Sequence, residues 1–387
     1  MTKSTVVITS ITDSQKAGED LGKQILKAFD NKPPDVVVVF SSSKHDYSNL
    51  LKALKKSTHT KLLVGCSSAG EFISNTHAEG AVSALAISSS DMKFSIGIGK
   101  NLKNHVGEAA DAIYHSFKGD SLTYQYKSAL ILADALAGFT DELIDILNQL
   151  TAGTYQFFGG GAGDDAKFYE THVFFDTLAY TNAVVSLEIL SNKPFGIGVR
   201  HGWKNASEPM RVTESDGMRL VSLNAIPAVE VFKQHAKTTN QIFETSDPIP
   251  FFLHNTIGIK TVNGYKLRVP LTINKDGSIN CASDIPKGAM VSIMSTTSES
   301  AAHAANDALE DALLQLHGQK PGVALFFDCV ATRLRTGNKF ANELETLQKG
   351  LGTTKYVGCN TYGQIARVDG QFNGFHNCTA VVCVIPE

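Results

Sequence analysis

The sequence predicts an α/β fold: mixed sheets covered by helices, built from three internal repeats of one unit plus a middle segment of β-hairpins. Three observations predict this class. A glycine-rich phrase recurs, amphipathic helical patterns separate the strand-like runs around each copy, and hairpin signals fill the stretch between the second and third copies. Helices that alternate with strands along a whole chain are typical of sheets covered by helices.

The recurring phrase marks the repeats. It reads VGCSSAGEF at residues 64–72 and VGCNTYGQI at residues 357–365, with a weaker copy, FGGGAGDD, at residues 158–165. A strand-like run and then a helical pattern precede each copy, and a further apolar run follows it. The phrase therefore belongs to a larger repeated unit rather than to an isolated motif.

The flanks define this unit as strand, helix, strand, helix, strand, glycine turn, strand. The three predicted units span residues 4–90, 93–190 and 289–386. The stretch between the second and third units favours hairpins, because Asn263-Gly264 and Asp276-Gly277 are strong signals of two-residue hairpin turns.

The repetition limits the chemistry of the phrase. We align Gly70, Gly163 and Gly363, and only glycine adopts a positive φ without strain, so the phrase is first of all a sharp turn. A nucleophilic Cys66 would have Gly159, which has no side chain, as its counterpart in the second copy. Because open α/β sheets bind ligands at the carboxyl ends of their strands, the turns are also candidate walls of a ligand site.

Twelve residues of the turns and their surroundings are therefore candidate ligand-binding residues. They are Gly65, Cys66, Ser67, Ser68, Gly70, Glu71, Gly160, Gly163, Asp164, Arg333, Tyr362 and Gly363.

Composition and charge narrow the function further. A net charge of −3 gives no electrostatic reason to expect nucleic acid or an anionic membrane as a partner. No apolar run is long enough for a signal peptide or a membrane span, so we expect a cytoplasmic protein with free thiols at its six cysteines. No C-x-x-C zinc motif, dinucleotide-binding or P-loop motif or nucleophile elbow occurs, so we expect no metal site and no enzyme activity.

Several motifs in the C-terminal half resemble the FIST family. The run VALFFDCVATR at residues 323–333, the turn YGQI at residues 362–365 and HNCT at residues 376–379 resemble the FIST C domain. Gln364 stands where that family usually has Glu, which argues against acid chemistry at this position.

The N-terminal half, with its phrases VGCSSAGEF and FFGGGAGDD, is similar to the FIST N domain. The resemblance implies a FIST N-type domain over residues 1–222, holding the first two units. It implies a FIST C-type domain over residues 223–387, holding the middle hairpins and the third unit.

This resemblance implies a sensory, ligand-binding role beside histidine kinases or cyclic-di-GMP enzymes. A two-domain FIST chain of this size is similar to the NosP group, haem-binding nitric oxide sensors that modulate a partner histidine kinase. The cofactor would then be haem, and His376, His254 and His201 are the candidate axial ligands. Arg333 would hold a haem propionate or another carboxylate with its planar guanidinium.

Two alternatives remain open beside the haem sensor. The first is a sensor for an amino acid or another small metabolite, which would use the turn amides, Arg333 and a carboxylate such as Asp164 or Asp328. The second is a cysteine-dependent enzyme that would use Cys66 or Cys359 as its nucleophile.

Overall fold

The computed structural model describes residues 2–74, 76–119, 121–262, 264–367 and 374–387. The helices of these residues are α1 (Ser14–Ala28), α2 (Tyr47–Thr58), α3 (Val106–Ser116), α4 (Thr140–Leu150), α5 (Ala228–Thr238), α6 (Ile249–Phe252), α7 (Ser298–Gln315), α8 (Val330–Thr336) and α9 (Phe340–Leu351).

The strands fall in three groups along the chain. The first two groups are β1 (Thr2–Thr9), β2 (Val36–Ser42), β3 (Leu62–Ser68), β4 (Glu71–Ile73), β5 (Thr76–Ala78), β6 (Val82–Ser89), β7 (Met92–Lys100), β8 (Tyr126–Ala133), β9 (Gln156–Gly161), β10 (Val173–Phe175), β11 (Leu178–Tyr180) and β12 (Ala183–Ser191). The third group is β13 (Gly196–Arg200), β14 (Lys204–Asn205), β15 (Met210–Asp216), β16 (Arg219–Leu223), β17 (Ile226–Pro227), β18 (Thr256–Thr261), β19 (Gly264–Arg268), β20 (Pro270–Ile273), β21 (Ile279–Cys281), β22 (Met290–Ser295), β23 (Pro321–Cys329), β24 (Tyr356–Thr361), β25 (Gln364–Arg367), β26 (Gly374–His376) and β27 (Ala380–Pro386).

Three six-stranded sheets share one pattern of pairing. Their orders are β1-β6-β2-β3-β10-β11, β7-β12-β8-β9-β25-β26 and β13-β27-β23-β24-β4-β5. In each sheet the third and fourth strands run parallel, and every other neighbouring pair is antiparallel. The predicted fold class, α/β with mixed sheets covered by helices, is confirmed.

Each of these sheets is completed by a hairpin from another repeat. The hairpin β4–β5 follows the turn of the first phrase but pairs with β24 in the third sheet. In the same way β10–β11 pairs with β3, and β25–β26 pairs with β9. The exchange is cyclic and interlocks the sheets. That the three units superpose in space stays a prediction.

The first strand of the third unit differs from the sequence prediction. We expected the unit to begin at residue 289, but β22 pairs with β14, β15 and β18 in a separate middle sheet. The corresponding edge of the third sheet is β13, which pairs with β27. The middle segment is thus inserted between the first strand and the first helix of this unit. The sequence pattern of an apolar run before a helix does not show which sheet the strand joins, because long-range contacts determine its pairing partner.

The middle sheet has nine strands, seven of them in the order β19-β18-β22-β15-β16-β21-β20, with β14 beside β22 and β17 beside β16. Strands β18 and β19 form the hairpin that Asn263-Gly264 predicts, and Asn263 itself lies outside the described residues. Strands β20 and β21 pair across Asp276-Gly277, where Gly277 has a φ of +81°. The hairpin prediction at Asp276-Gly277 is confirmed.

One apolar core joins the three six-stranded sheets. Val38 of the first sheet, Leu130 of the second and Leu325 of the third belong to the same buried cluster. Cys66 and Cys359 lie in this cluster too and are fully buried. The inner faces of the three sheets therefore pack around a common centre, and the helices cover other faces. Among the described residues, no helix is both long and apolar enough to cross a membrane.

Candidate functional site

The three turns meet where the parallel strand pairs end. Three backbone hydrogen bonds link them in a closed ring, from Ala69 N to Asn360 O (2.9 Å), from Gly163 N to Ser67 O (2.9 Å) and from Tyr362 N to Gly161 O (3.0 Å). Each turn donates to one neighbour and accepts from the other, so the ring fixes the three repeats relative to each other.

The ring corrects the alignment of the turns. Gly70 and Gly363 have φ values of +138° and +112°, as the turn prediction requires. Gly163 was aligned with them wrongly: its φ is not positive, and its N–H occupies the ring position of Ala69 and Tyr362. Because the second copy of the phrase was aligned by its glycines, the sequence alignment did not reveal the insertion that follows Gly163.

The insertion comprises residues 164–171. After the insertion, His172 occupies the position that corresponds to Gly70, because the two residues accept equivalent hydrogen bonds. The Ser67 N–H donates to His172 O at 2.9 Å, and the Asn360 N–H donates to Gly70 O at 2.8 Å. The second turn therefore carries an extra loop that the other two lack.

The turn residues are packed against protein rather than around open space. A Cβ added at Gly65 would lie 1.9 Å from Val39 O, and one added at Gly160 would lie 2.9 Å from Thr361 Cγ2. Cys66, Ser67, Ser68, Glu71, Asp164 and Tyr362 are buried as well. The turns form first a structural junction, and their ligand-binding role stays a prediction.

Asp164 organises the inserted loop. Its carboxylate accepts hydrogen bonds from the Tyr362 hydroxyl and from the backbone N–H groups of Phe168 (2.8 Å), Tyr169 (2.7 Å) and Glu170 (3.0 Å). Burial raises the pKa of Asp164, but these hydrogen bonds outweigh it and lower the pKa below its usual value. Asp164 and Tyr362 thus have structural partners.

Glu71 is a buried carboxyl at the start of β4. It accepts hydrogen bonds from the Ser68 hydroxyl and from the Ala81 N–H, the latter at 3.1 Å. Burial raises the pKa of Glu71 to about 8, and Asp165 adds to the rise, while the hydrogen bonds and Arg333 oppose it. Glu71 is therefore mostly protonated near neutral pH.

Gln364 holds the corresponding place at the start of β25. Its amide donates to Thr361 Oγ1 at 2.9 Å and accepts from the Thr379 N–H at 3.2 Å. Thr361 precedes Gln364 by three residues, as Ser68 precedes Glu71. The departure from the usual family Glu is thus a neutral amide with corresponding partners, which donates to Thr361 where Glu71 accepts from Ser68.

Arg333 lies on α8 against the first turn. A Cβ added at Gly70 would be 2.8 Å from Arg333 Nη1 and 2.8 Å from Asn360 Oδ1. The guanidinium is also 3.3 Å from a carboxylate oxygen of exposed Glu79. Arg333 therefore joins two repeats.

A second cluster, which we call the acid–arginine cavity, lies at the carboxyl end of β23. It has a volume of about 10 Å³, room for one water molecule. Its polar and aromatic lining consists of Arg200, His201, Trp203, Thr296, Asp328, Thr332, Arg335, Glu343 and Cys378. Strand β23 supplies Asp328, the helices α8 and α9 supply Arg335 and Glu343, and the segment after β13 covers them.

Two buried carboxyls face each other in this cavity. Asp328 and Glu343 are 1% and 3% exposed. Burial raises the pKa of Glu343 to about 8, and Arg335 opposes the rise. Burial and the neighbouring Glu343 raise the pKa of Asp328 well above its usual value. Burial therefore favours the protonated form of both carboxyls.

Several polar atoms of the cavity have no hydrogen-bond partner among the described residues. They are Glu343 Oε2, Arg335 Nε and Arg335 Nη1, all of them buried. The Arg335 guanidinium lies 4.9 Å from the centre of the Trp203 ring instead. Buried polar groups are usually paired, and unpaired ones with shifted pKa values beside a cavity are typical of functional sites.

The histidine candidates lie near the acid–arginine cavity: after burial, Arg335 lowers the pKa of His254, and His201 contributes to the lowered pKa of His376. His254 follows α6 and is exposed. His201 lines the acid–arginine cavity, with Nε2 2.9 Å from Tyr265 O and Nδ1 3.3 Å from the Trp203 N–H. Both ring nitrogens of His201 are thus engaged by the backbone.

His376 is buried at the end of β26. Burial lowers its pKa to about 3, with Lys266 and Arg268 adding to the fall and Asp141 opposing it. The ring is therefore neutral, which is the form that ligates iron, but ionic groups surround it. An axial histidine lies beside an apolar pocket of several hundred Å³, and the cavity beside His201 has about 10 Å³, so haem would bind only if this region opened.

The cysteines of the first and third phrases contact each other in the shared core. Burial and then the hydrogen bond with Cys66 raise the pKa of Cys359 well above its usual value. A nucleophilic cysteine requires the thiolate, so this pair is a poor candidate for catalysis.

Sequence reasoning missed the acid–arginine cavity, although Asp328 was a candidate for binding a ligand amine. The missed residues are Arg335 and Glu343. One signal was present: Glu343 lies three residues after Phe340 and beside Leu344, so it places a carboxyl on the apolar face of α9. A charged residue on such a face needs a buried partner or a function.

The FIST N domain matches residues 35–226 and the FIST C domain matches residues 228–367. No curated protein matches the sequence. The chain is similar to the crystal structure of cyanuric acid hydrolase from A. caulinodans, at 7% identity and a TM-score of 0.35 over 100% of this chain and 99% of that one. So low a TM-score carries no functional argument. With both domain models matched in order over most of its length, the chain belongs to the FIST family of sensory domains.

Proposed function

We propose that this protein senses a small polar molecule in the acid–arginine cavity and reports its binding to a separate signalling protein. FIST domains are sensory ligand-binding domains of signal transduction. The observation that carries the proposal is the set of unpaired buried atoms, Glu343 Oε2 with Arg335 Nε and Nη1. A ligand that paired them would recover the cost of their burial.

The chemistry of the lining favours a ligand with an ammonium group. Glu343 and Asp328 supply oxygens for a cation, and their raised pKa values mean that the cation displaces a proton. Arg335 supplies donors for a carboxylate on the same molecule. An amino acid or a related amine fits this arrangement, with Trp203 as an aromatic wall.

Binding must change the protein, because the cavity has room for only one water molecule. Arg335 has to leave the Trp203 ring, and the segment around residues 200–203 has to separate from α8 and α9. A ligand that binds only this opened state shifts the equilibrium toward it. The partner that reads the shift, a histidine kinase or a cyclic-di-GMP enzyme in the cytoplasm, is part of the proposal and rests on the family.

Haem with nitric oxide as the signal is the second candidate. The observation in its favour is His376, a buried neutral imidazole at a family motif. Its test is the absorption spectrum of protein produced with a haem supply. A Soret band that His376→Ala removes, while the fold stays intact, would support haem over the metabolite.

The metabolite proposal is tested by thermal stability. Amino acids and simple amines are screened for one that raises the melting temperature, which binding to the folded state alone produces. We expect the rise in the wild type and in Glu345→Gln, which changes an exposed carboxyl on the same helix. We expect no rise in Glu343→Gln. An equal rise in all three proteins would place the ligand elsewhere and overturn the proposal.

A further inference from the structure

The inserted loop of the second turn forms one wall of another cavity, which we call the loop cavity. It has a volume of about 350 Å³, within the range of sites for small ligands. The opposite wall is the segment that follows β2 and begins α2, through Ser43 and residues 45–47. The cavity therefore lies between the first and second repeats at the carboxyl end of β2, where α/β sheets commonly bind ligands.

Rings form much of the lining of the loop cavity. They belong to His45, Tyr47, Tyr169 and His172. The ring centres of Tyr47 and His172 are 5.1 Å apart and their planes are inclined at 57°, so the two rings make a corner. Tyr169 lies on the inserted loop and is 88% exposed, so its ring is free to turn over a ligand. Aromatic faces arranged around a cavity are typical of sites that bind organic cations.

The charge of the lining also favours a cation. The described lining holds three carboxyl groups and one ammonium group, those of Asp46, Asp164, Glu170 and Lys167. Lys167 donates to Ser43 Oγ at 2.8 Å, and the same hydroxyl donates to the Asp165 carboxylate at 2.6 Å. The charge of Lys167 is thus offset by Asp165 beside Ser43, and the lining keeps an excess of negative charge, which attracts a cation.

Most hydrogen-bond acceptors of the lining already have partners in the protein. Asp164 accepts the hydrogen bonds that organise the loop. Asp46 caps α2 by accepting from the Asn49 N–H at 2.9 Å, and each ring nitrogen of His45 lies 3.3 Å from an oxygen atom. A quaternary ammonium ion has no N–H to donate and needs only negative charge and aromatic faces, so it suits this lining better than a primary amine does.

The inserted loop is held in an unusual backbone conformation. Asp165, Ala166 and Phe168 have φ values of +58°, +63° and +55°, which residues other than glycine rarely adopt. The Asp165 carboxylate fixes the loop by accepting from the Ser43 N–H at 2.9 Å, and Phe168 stacks on Tyr362 with ring centres 4.4 Å apart. Strained backbone that its surroundings hold in place is typical of ligand-binding segments.

We propose that the loop cavity binds a small quaternary ammonium ion. The cation lies in the corner of Tyr47 and His172, Tyr169 closes over it, and Glu170 supplies negative charge at the rim. The site is independent of the proposed function, because no described residue lines both this cavity and the acid–arginine cavity.

The test is calorimetric titration of the full chain with choline and with 3,3-dimethyl-1-butanol, its neutral analogue of the same shape. We expect choline to bind and the alcohol to bind at least about tenfold more weakly. Choline should leave the Trp203 emission unchanged and should bind Glu343→Gln as it binds the wild type. Absence of choline binding, or equal binding of the alcohol, would overturn the proposal. Binding that Glu343→Gln abolishes would place choline in the acid–arginine cavity and overturn it too.

Two substitutions at exposed positions test the lining without disturbing the core. Tyr169→Ala removes an aromatic face and should weaken choline binding about three- to tenfold, and Glu170→Gln removes a charge and should weaken it about threefold. Ile242→Ala, which truncates a side chain that is 84% exposed and outside the lining, should bind choline as the wild type does. If Tyr169→Ala binds choline as tightly as the wild type, the inserted loop takes no part and the proposal fails.

Discussion

Replacing Glu71 with glutamine should remove a pH-dependent loss of stability. Glu71 is buried, and its pKa of about 8 exceeds its usual value of 4.5. Between these pH values the folded protein keeps a proton that the unfolded chain has released. The contribution of Glu71 to stability is therefore complete below pH 4.5 and is lost as the pH rises through 8.

The magnitude follows from the two pKa values. Between pH 4.5 and about pH 8 the free energy of unfolding of the wild type falls by about 5 kcal/mol, since each unit of difference in pKa is worth about 1.36 kcal/mol. Glutamine does not ionise, and Gln364 already shows an amide in the corresponding place with equivalent partners, donating at 2.9 Å and accepting at 3.2 Å. The Ser68 hydroxyl that now donates to Glu71 would accept instead.

The assay is urea unfolding of the wild type, Glu71→Gln and Glu345→Gln at pH 5 and pH 8.5. We expect Glu71→Gln to match the wild type within about 1 kcal/mol at pH 5 and to exceed it by about 3–5 kcal/mol at pH 8.5. Glu345→Gln changes an exposed carboxyl and should follow the wild type at both pH values. A difference between Glu71→Gln and the wild type that does not change with pH would refute the reasoning.

Two other substitutions test the fold. Gly363→Val should lower the free energy of unfolding by about 2–5 kcal/mol, because φ is +112° and an added Cβ would lie 2.1 Å from the Phe375 ring. Gly107→Val is the control: nothing lies within 4 Å of its added Cβ, so it should lower the free energy of unfolding by about 1 kcal/mol or less. Equal costs in urea unfolding would contradict the turn geometry. Asp141→Asn should lower the free energy of unfolding by about 3–5 kcal/mol, because it removes the charged partner of a buried arginine. The Arg268 side chain is 3% exposed and lies 2.6 Å from the Asp141 carboxylate. Asp145→Asn, at an exposed position on α4, should cost under about 1 kcal/mol, and a similar cost for both would refute the ion-pair argument.

Local pattern was enough to predict much of the fold. Helical periodicity indicated the helices that separate the strands of each repeat, and the repeated phrase located the turns at Gly70 and Gly363. It could not predict that each hairpin pairs with another repeat, because β4 and β5 are three residues each and carry no sign of their partner. The prediction that β22 begins the third unit was wrong for the same reason, since long-range contacts determine the pairing partner of an apolar strand.

The candidate site was predicted less well than the fold. The phrase drew attention to residues such as Gly160 and Ser67, which are packed into the junction. The acid–arginine cavity depends on Asp328 and Glu343, which are 15 positions apart in sequence and meet because α8 and α9 fold back over the end of β23. Contacts between side chains so far apart in sequence depend on the tertiary fold. The only sequence signal of this cluster was the Glu343 carboxyl on the apolar face of α9.

The proposed opening of the acid–arginine cavity is tested most directly by the fluorescence of Trp203 during ligand titration. The chain has a single tryptophan, so the emission reports on the wall of the acid–arginine cavity alone. We expect that an amino acid or amine that raises the melting temperature also changes this emission in a saturable way, as Arg335 leaves the ring. We expect Glu343→Gln to abolish the change and Glu345→Gln to keep it. A ligand that stabilises the protein but leaves the Trp203 emission unaltered in the wild type would contradict binding in the acid–arginine cavity.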